Sequence, residues 1–223
     1  MDGDSADTAR FIAAHTAPSH APLVGEIILR LATEITPIWQ ASEDWLARAG
    51  VAPPFWAFAW PGGQALARHV LDGHLPVAGR RVLDFASGCG LAAIACAQRQ
   101  AASVEASEID PLAIAAIGIN ARANGVDVIA LPDDIVGAAC RWDVILCGDV
   151  CYEEPMTRHI MPWLRRMAET AEVIVADPGR TYRPGQGMVA LAAYDVPTSR
   201  ELEDRDQRHT VLYRVEPHAA AAR

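Results

Sequence analysis

The chain has 223 residues, of which 51% are hydrophobic and 21% are charged, and these proportions exclude a generally disordered protein or a coiled coil. No run of 18 apolar residues is present, and residues 1–4 are acidic where a signal peptide is basic, so neither a membrane span nor secretion is expected. The 19 basic and 28 acidic residues leave a net charge of −9, which disfavours binding to a phosphate backbone.

The cysteines and basic residues add to this profile. Five cysteines lie in apolar runs without a C-x-x-C pair, a pattern typical of reduced thiols in a cytoplasmic protein. All basic residues are arginine, and the chain contains no lysine. No grouping of His, Cys and Asp has the spacing of a metal site, so no metal is predicted. We expect a cytoplasmic protein with neither nucleic acid nor membrane as partner.

The first 20 residues mix Asp, Ala, Thr, His and Pro without a sustained apolar period. They are predicted to form a flexible or peripherally docked leader. Residues 21–216 are predicted to form a single domain, and residues 217–223 a tail. The apolar residues between 26 and 39 fit neither the helical period nor the two-residue period of a strand, so helix and strand both remain open there.

Two short helices are predicted before the first central strand. Residues 42–44 provide an N-cap and an acidic first turn, and Gly50 provides a C-terminal glycine, so a helix is expected between them. Pro53 and Pro54 end it. A second helix is predicted at 64–73, where a glycine again ends the pattern.

Strands and helices then alternate. Strands are predicted at 80–86, 103–108, 126–131, 142–148 and 172–177. Helices are predicted at 90–100, 111–124 and 155–170. This alternation favours an α/β fold with a doubly wound, mainly parallel sheet. This alternation of strands and helices ends after residue 177. We expect a short helix near 186–192 and two further strands that complete the sheet near 193–196 and 208–215, the last antiparallel.

A glycine-rich turn connects the first central strand to its helix. Gly88 and Gly90 allow the backbone to approach a ligand, and the free amides at the helix start favour negative groups. With Ala93 they satisfy a dinucleotide-binding pattern. Glu108, 20 residues after Gly88, ends the next strand, where an acid accepts hydrogen bonds from ribose hydroxyls. A nucleotide-like ligand is therefore predicted.

Asp84 lies at the start of the same turn. A carboxylate there repels a pyrophosphate, but it suits a cationic ligand such as the amino-acid portion of S-adenosylmethionine. This favours methyl transfer over hydride transfer. In the alternative interpretation, Asp84 only caps the glycine turn.

Several segments resemble one enzyme family. Residues 84–90 (DFASGCG) resemble the cofactor loop of class I, seven-β-strand methyltransferases, and residues 108–111 (EIDP) resemble their acidic second-strand motif. Residues 148–152 (GDVCY) are similar to the Asp-x-x-Tyr signature of a protein-lysine methyltransferase branch. Together with residues 55–66 (FWAFAWPGGQAL) and 177–180 (DPGR), they closely resemble the methyltransferases acting on lysines of the electron transfer flavoprotein β subunit.

The resemblance covers about residues 22–216 and implies a seven-stranded Rossmann-like sheet, S-adenosylmethionine as cofactor and a lysine of the flavoprotein β subunit as acceptor. The cofactor contacts that it implies are Trp60, Asp84, Gly88, Gly90, Glu108 and Asp134, with Asp133 as an alternative to Asp134. The implied catalytic residues are Asp149 and Tyr152. One departure is Phe85-Ala86, where many relatives have Leu or Tyr followed by Gly.

Asp149 and Tyr152 follow a predicted strand at the carboxyl edge of the sheet, the usual location of chemistry in such folds. Methyl transfer to an amine requires alignment and a neutral nucleophile. Because a free lysine has a pKa of about 10.4, a partly dry aromatic slot must favour loss of its proton. Asp149 is predicted to hold the incoming ammonium. The residues predicted to bind the substrate are Trp56, Phe58 and Arg180, with Trp60 and Tyr152 completing the slot.

Other interpretations remain open. The aromatic residues at 56, 58 and 60 alternate at strand spacing and are also consistent with core packing, and Arg180 with loop stabilisation. A methyltransferase acting on a ribosomal protein or a small nitrogen-containing molecule is the main alternative function. An NAD-dependent oxidoreductase fits the glycine spacing only, and Asp84 opposes it. An inactive cofactor-binding adaptor is opposed by the presence of both Asp149 and Tyr152.

Overall fold

The computed structural model describes residues 2–32 and 53–217. The strands are β1 (Ala17–Ala21), β2 (Val24–Leu31), β3 (Arg81–Phe85), β4 (Ser103–Ser107), β5 (Ile129–Leu131), β6 (Val144–Gly148), β7 (Glu172–Asp177), β8 (Met188–Pro197) and β9 (Gln207–Val215). The α-helices are α1 (Asp2–His15), α2 (Pro61–Leu71), α3 (Leu91–Gln98), α4 (Pro111–Ala123), α5 (Glu154–Met167) and α6 (Arg200–Glu203), and a 3-10 helix spans Phe55–Ala57. None of the helices in these two ranges is long and apolar enough to cross a membrane.

Within the described residues, seven strands form one sheet in the order β5-β4-β3-β6-β7-β9-β8. The first five in this order are parallel, and β9 is antiparallel to both β7 and β8. The predicted doubly wound sheet with an antiparallel end is therefore confirmed. The carboxyl ends of β3, β4 and β6 share one edge, so the residues that follow these strands lie close together.

Two hydrophobic layers cover the sheet, because alternate side chains of each strand point to opposite faces. Val144 and Leu146 of β6 belong to the layer that includes residues of α2, α3 and α4. Ile145 and Cys147 belong to the layer built around α5, with Trp163 completely buried in it. The central strands read as continuous apolar runs for this reason.

Residues 2–21 form α1 and β1 and contact the domain, which agrees with the docked alternative for this segment. Ile12 of α1 is completely buried and packs with residues of α4 and the 3-10 helix. β1 pairs with β2, which settles the undecided segment as strand up to Leu31. The apolar periodicity of α1 is weak because only a narrow stripe of side chains on this helix contacts the domain. The helix predicted between 42 and 50 lies outside the described residues.

The helix predicted near 186–192 is wrong, since Met188–Pro197 forms the edge strand β8. The segment contains three alanines and one leucine, residues that favour helix locally. Pairing with β9 along the whole strand overrides that preference. A register shift between Ala190 and Ala192 also interrupts the two-residue alternation that identifies a strand.

The N-terminal end of α2 lies directly against the ends of β6 and β7. A Cβ atom on Gly62 would lie 2.5 Å from Asp149 Oδ2 and 2.8 Å from the Ala176 carbonyl oxygen. A Cβ atom on Gly148 would lie 2.8 Å from the Gly63 nitrogen. Only glycine at 62 and 148 allows the helix this close to the sheet.

Replacement of the two neighbouring glycines of α2 tests this contact. Gly62→Ala is expected to lower the free energy of unfolding by about 1–3 kcal/mol, because the added methyl group overlaps Asp149. Gly63→Ala is the matched control, since nothing lies within 4 Å of its Cβ position. It is expected to raise stability by about 0.5–1 kcal/mol, as alanine does in a helix. Denaturant unfolding measures both, and equal effects would contradict the proposed close contact.

Candidate active site

A cavity of about 760 Å³ opens at the carboxyl edge of the sheet. Residues that follow β3, β4, β6 and β7 line it, as expected for an open α/β sheet. A small adjoining recess extends toward Asp84 and Phe58. The predicted site residues that line the main cavity are Trp56, Trp60, Gly88, Glu108, Asp134, Asp149, Tyr152 and Arg180.

The turn after β3 has the conformation of a ligand loop. Gly88 has φ +56° and borders both the cavity and the recess. Gly90, the N-cap of α3, has φ +83° but borders neither space, and a Cβ there would lie 3.3 Å from Ile117. Gly90 thus serves the packing of α3 against α4. Ala86 also has a positive φ, +52°, where a side chain is disfavoured.

Asp84 is buried and holds this turn. Its Oδ2 accepts hydrogen bonds from the Ser87 hydroxyl at 2.5 Å and from the Ala93 amide at 3.0 Å. Burial raises the pKa of Asp84 to about 7, although both hydrogen bonds act in the opposite direction. Asp84 therefore caps the turn and also lines the recess, so the two interpretations of this residue are compatible.

Glu108 lies at the end of β4 and is partly buried in the cavity wall. Burial raises its pKa to about 7, and the nearby carboxylates of Asp110 and Asp84 add to the effect. The Asp110 carboxylate is used as the N-cap of α4, where it accepts a hydrogen bond from the Leu112 amide at 2.8 Å. Glu108 is thus placed to accept hydrogen bonds from a ligand.

Asp133 and Asp134 both line the cavity after β5, so the two alternatives for this contact are adjacent. Asp134 accepts a hydrogen bond from the Val136 amide at 2.9 Å and pairs with His159 Nε2 at 2.9 Å. The Val136 hydrogen bond is the main reason that the pKa of Asp134 is lowered. His159 thereby lies at the cavity edge.

An aromatic wall formed by Phe55, Trp60 and Tyr152 lines another side of the cavity. The ring centroid of Phe55 lies 5.9 Å from that of Trp60 and 5.7 Å from that of Tyr152. The indole nitrogen of Trp60 donates a hydrogen bond to the Phe55 carbonyl oxygen at 2.7 Å, which fixes the two residues together. Tyr152 is 38% exposed, so the wall reaches the cavity mouth.

The strand-like alternation predicted for residues 56, 58 and 60 is wrong, because residues 55–57 form a 3-10 helix. Trp56 turns inward, is 1% exposed and packs in the cluster with Ile12, so it supports the cavity wall from the core. Phe58 borders the recess and not the main cavity, and it packs edge-on against Trp60. Substrate contacts by Trp56 and Phe58 remain predictions.

Asp149 follows β6 in a left-handed conformation with φ +58°. Its Oδ2 accepts a hydrogen bond from the Gly62 amide at 2.5 Å, and its Oδ1 accepts two from the Arg180 guanidinium at 2.6 and 3.1 Å. Burial raises the pKa of Asp149 to about 6, despite the opposing effect of Arg180. The carboxylate is therefore ionised at neutral pH and fixed in orientation. Arg180 also lies 5.9 Å from the Trp60 ring centroid.

Comparison with known proteins fits this arrangement. The methyltransferase small domain family matches residues 61–149. An electron transfer flavoprotein β subunit lysine methyltransferase from Xenopus laevis is 34% identical over 216 residues, which is 93% of this chain and 86% of the relative. The protein of the same description from Mus musculus is 33% identical over 208 residues, 89% of this chain and 80% of the relative. The chain belongs to the electron transfer flavoprotein β subunit lysine methyltransferase family.

Membership of this family makes the protein a methyltransferase, and a solved structure shows the same fold. Magnesium protoporphyrin IX methyltransferase from Synechocystis, with S-adenosylmethionine bound, superposes with a TM-score of 0.53 at 19% identity. The likeness covers 69% of this chain and 79% of that one.

Two residues of this methyltransferase site were not singled out from the sequence. Phe55 is 43% exposed and forms the aromatic wall expected of Trp56, which is 1% exposed. The place of Phe55 at the head of the aromatic block was the available signal. Asn120 is completely buried in α4, donates to the Cys89 carbonyl oxygen at 2.8 Å and accepts from the Arg30 amide at 2.8 Å. It ties the glycine turn to β2, and nothing in its local sequence indicates this.

The strained backbone at Ala86 gives a stability prediction. Ala86→Gly is expected to raise the free energy of unfolding by about 0.5–1 kcal/mol, because glycine adopts φ +52° without a Cβ clash. Ala97→Gly in α3 is the control and is expected to lower it by about 1 kcal/mol. Thermal unfolding measures both, and a destabilised Ala86→Gly variant would show that the left-handed conformation carries no strain.

The raised pKa values predict pH-dependent cofactor affinity. A carboxylate that accepts ribose hydroxyls must be ionised, so the dissociation constant for S-adenosylmethionine is expected to rise as pH falls through about 7, the pKa of Glu108. Glu108→Gln should weaken binding at pH 8 and reduce the pH dependence. The dependence that remains is assigned to Asp84, whose pKa is also about 7.

Calorimetric titrations between pH 6 and 8 test this expectation. Glu105→Gln is the matched control, because Glu105 lies on the same strand but pairs with Arg141 outside the cavity. It should retain the wild-type pH dependence. A Glu108→Gln variant with the wild-type slope would remove Glu108 from the cofactor contacts.

Proposed function

We propose that this protein transfers a methyl group from S-adenosylmethionine to a lysine side chain of the electron transfer flavoprotein β subunit. Membership of the family supports the reaction and the acceptor. The observation that carries the proposal is the convergence of Glu108, Asp149 and the aromatic wall of Phe55, Trp60 and Tyr152 on one cavity. The cavity thus combines a carboxylate suited to ribose hydroxyls, a carboxylate suited to an ammonium group, and aromatic rings that bind cations.

The described residues fit a cationic nucleoside cofactor. Glu108 is suited to the ribose hydroxyls, and the positive φ of Gly88 allows close backbone approach beside the recess. Asp84 lines that recess and is suited to a positively charged amino-acid portion. Asp133 or Asp134 would contact the adenine edge. When bound, S-adenosylmethionine supplies an electrophilic methyl group on a sulfonium centre.

The aromatic wall and Asp149 are suited to a lysine ammonium. The faces of Trp60 and Tyr152 attract a cation and exclude part of the water. A carboxylate has about four lone-pair sites, and Asp149 uses three of them for Arg180 and Gly62. The remaining site is left for the ammonium, which is thereby oriented toward the cofactor.

The amine must be neutral to act as a nucleophile. Desolvation by the aromatic wall lowers the pKa of a lysine ammonium, and so does the positive charge of Arg180. Asp149 is a weak base because its pKa is only about 6. It therefore orients the substrate, and the proton leaves to solvent at the mouth, where Tyr152 is exposed.

An NAD-dependent function has less support. The buried carboxylate of Asp84 and the partly buried carboxylate of Glu108 make the cavity wall acidic, which disfavours a pyrophosphate.

The five cysteines are free thiols, and four of them are buried. They support action in a reducing compartment, and we place the protein in the cytoplasm.

A methylation assay tests the proposed function. The protein is incubated with labelled S-adenosylmethionine and, in separate reactions, with electron transfer flavoprotein, ribosomal proteins or nicotinamide. Methylated lysine on the flavoprotein β subunit, mapped by mass spectrometry, is the expected result. Because the enzyme has no lysine, labelled lysine must belong to the partner. Transfer only to ribosomal proteins would change the partner, and transfer only to nicotinamide would exclude a protein substrate.

Two variants accompany the assay. Asp149→Asn is expected to lose at least about 100-fold in kcat/KM while it still binds the cofactor, because the ammonium loses a charged partner. Asp143→Asn is the control, since Asp143 pairs with Arg81 at the start of β6 and does not line the cavity. It should keep wild-type activity. A fully active Asp149→Asn variant would remove Asp149 from the substrate site.

A further inference from the structure

A row of alternating charges runs from the cavity into the closing part of the sheet. Asp149 pairs with Arg180, which pairs with Glu203 of α6, which in turn pairs with Arg208 of β9. The Arg180 guanidinium donates to both oxygens of Glu203, at 2.5 and 3.1 Å, and its Nη2 atom donates to Asp149 as well. Arg180 is thus held by two carboxylates.

Glu203 is the most deeply buried member of this row. Its side chain is 1% exposed, against 11% for Asp149 and 18% for Arg180. An isolated carboxylate is costly at such a depth, so Glu203 depends on its two arginine partners. Arg208 also donates to the Glu203 carbonyl oxygen at 2.9 Å, which fixes the backbone of α6. Ser199 caps the start of this helix.

We propose that Glu203 is a positioning residue for the methyl-transfer site: its carboxylate fixes Arg180 against Asp149, and its charge limits how strongly the Arg180 charge acts on Asp149 and on the incoming ammonium. This inference rests on the proposed function. Without Glu203, the guanidinium has one carboxylate partner, and Asp149 experiences its full charge. With Glu203, Asp149 keeps more of its attraction for an ammonium.

The surroundings of Asp149 support this assignment. The charged or titratable groups that act on it or on its partners are Arg180 and Arg183 after β7, Asp177 at the end of β7, Cys151 after β6, Glu203 on α6 and Arg208 on β9. Asp177 accepts a hydrogen bond from the Arg180 backbone amide at 2.8 Å. It therefore stabilises the loop after β7 and does not orient the guanidinium. Among these groups, Glu203 raises the pKa of Asp149, opposite to Arg180.

The pH dependence of kcat/KM distinguishes this role from a structural one. At saturating S-adenosylmethionine, where Glu108 and Asp84 no longer limit cofactor binding, the acid limb reflects Asp149, and Glu203→Gln is expected to move it to lower pH by about one unit. Glu203→Asp keeps the charge and should leave the limb at its wild-type position. Arg208→Met frees Glu203 of one partner and should move the limb in the opposite direction. A merely structural residue would lower the rate equally at every pH.

Glu172→Gln is the matched control, because it loses an ion pair with Arg80 at the other end of β7 and does not line the cavity. Its profile should coincide with that of the wild-type enzyme. The proposal is overturned if Glu203→Gln keeps the wild-type limb, or if Glu203→Asp moves it as far as Glu203→Gln does. If Glu203→Gln does not fold, an unmoved limb in Arg208→Met overturns it.

A measurement without substrate separates this proposal from the proposed function. The Asp149 carboxyl carbon is titrated by NMR in isotope-labelled wild-type, Glu203→Gln and Arg208→Met proteins. The same downward and upward shifts of the midpoint are expected whether or not any lysine is methylated. Unchanged midpoints would overturn the role of Glu203, whereas shifted midpoints without lysine methylation would overturn the proposed function alone.

Discussion

The close contact between the start of α2 and the ends of β6 and β7 determines the geometry of the whole site. Gly62 and Gly148 have no side chains to separate these elements, and any Cβ atom there would overlap the backbone or the Asp149 carboxylate. The Gly62 amide, at the positive end of α2, therefore reaches Asp149 directly. The same contact places Trp60, the N-cap of α2, at the cavity wall.

Electrostatics gives this cavity its preference for cations. Burial raises the pKa values of Asp84, Glu108 and Asp149, so a positively charged ligand beside any of them would stabilise its ionised form. Arg180 supplies part of that charge for Asp149. A sulfonium cofactor and a lysine ammonium supply further positive charge, and the aromatic wall binds cations without adding a counter-charge. The cavity is thus electrostatically complementary to both proposed reactants.

The periphery of the fold supports the site through hydrogen bonds and packing. Asn120 joins β2 to the glycine turn, so the N-terminal hairpin stabilises the loop proposed to contact the cofactor. Ile12 of α1 packs in the same cluster as Trp56, which lies behind the cavity wall. At the other end of the sheet, α6 and β9 hold Arg180 through Glu203 and Arg208. Segments distant in sequence therefore decide how rigid the cavity is.

The sequence by itself determined the central fold and half of the site. The strands β3, β4 and β6, the glycine turn and Glu108 were predicted because strand periodicity, turn residues and strand ends are local properties of the chain. Asp149 was predicted from the resemblance of residues 148–152 to the Asp-x-x-Tyr signature. Only the tertiary structure decided that Phe55 and not Trp56 forms the aromatic wall, since the phase of a 3-10 turn depends on what packs behind it. It also decided that residues 188–197 form an edge strand, because pairing with β9 is a long-range interaction that overrides local helix preference. The contact of Glu203 with Arg180 joins α6 to the loop after β7, with β8 between them in the sequence, and no local pattern encodes such a pairing.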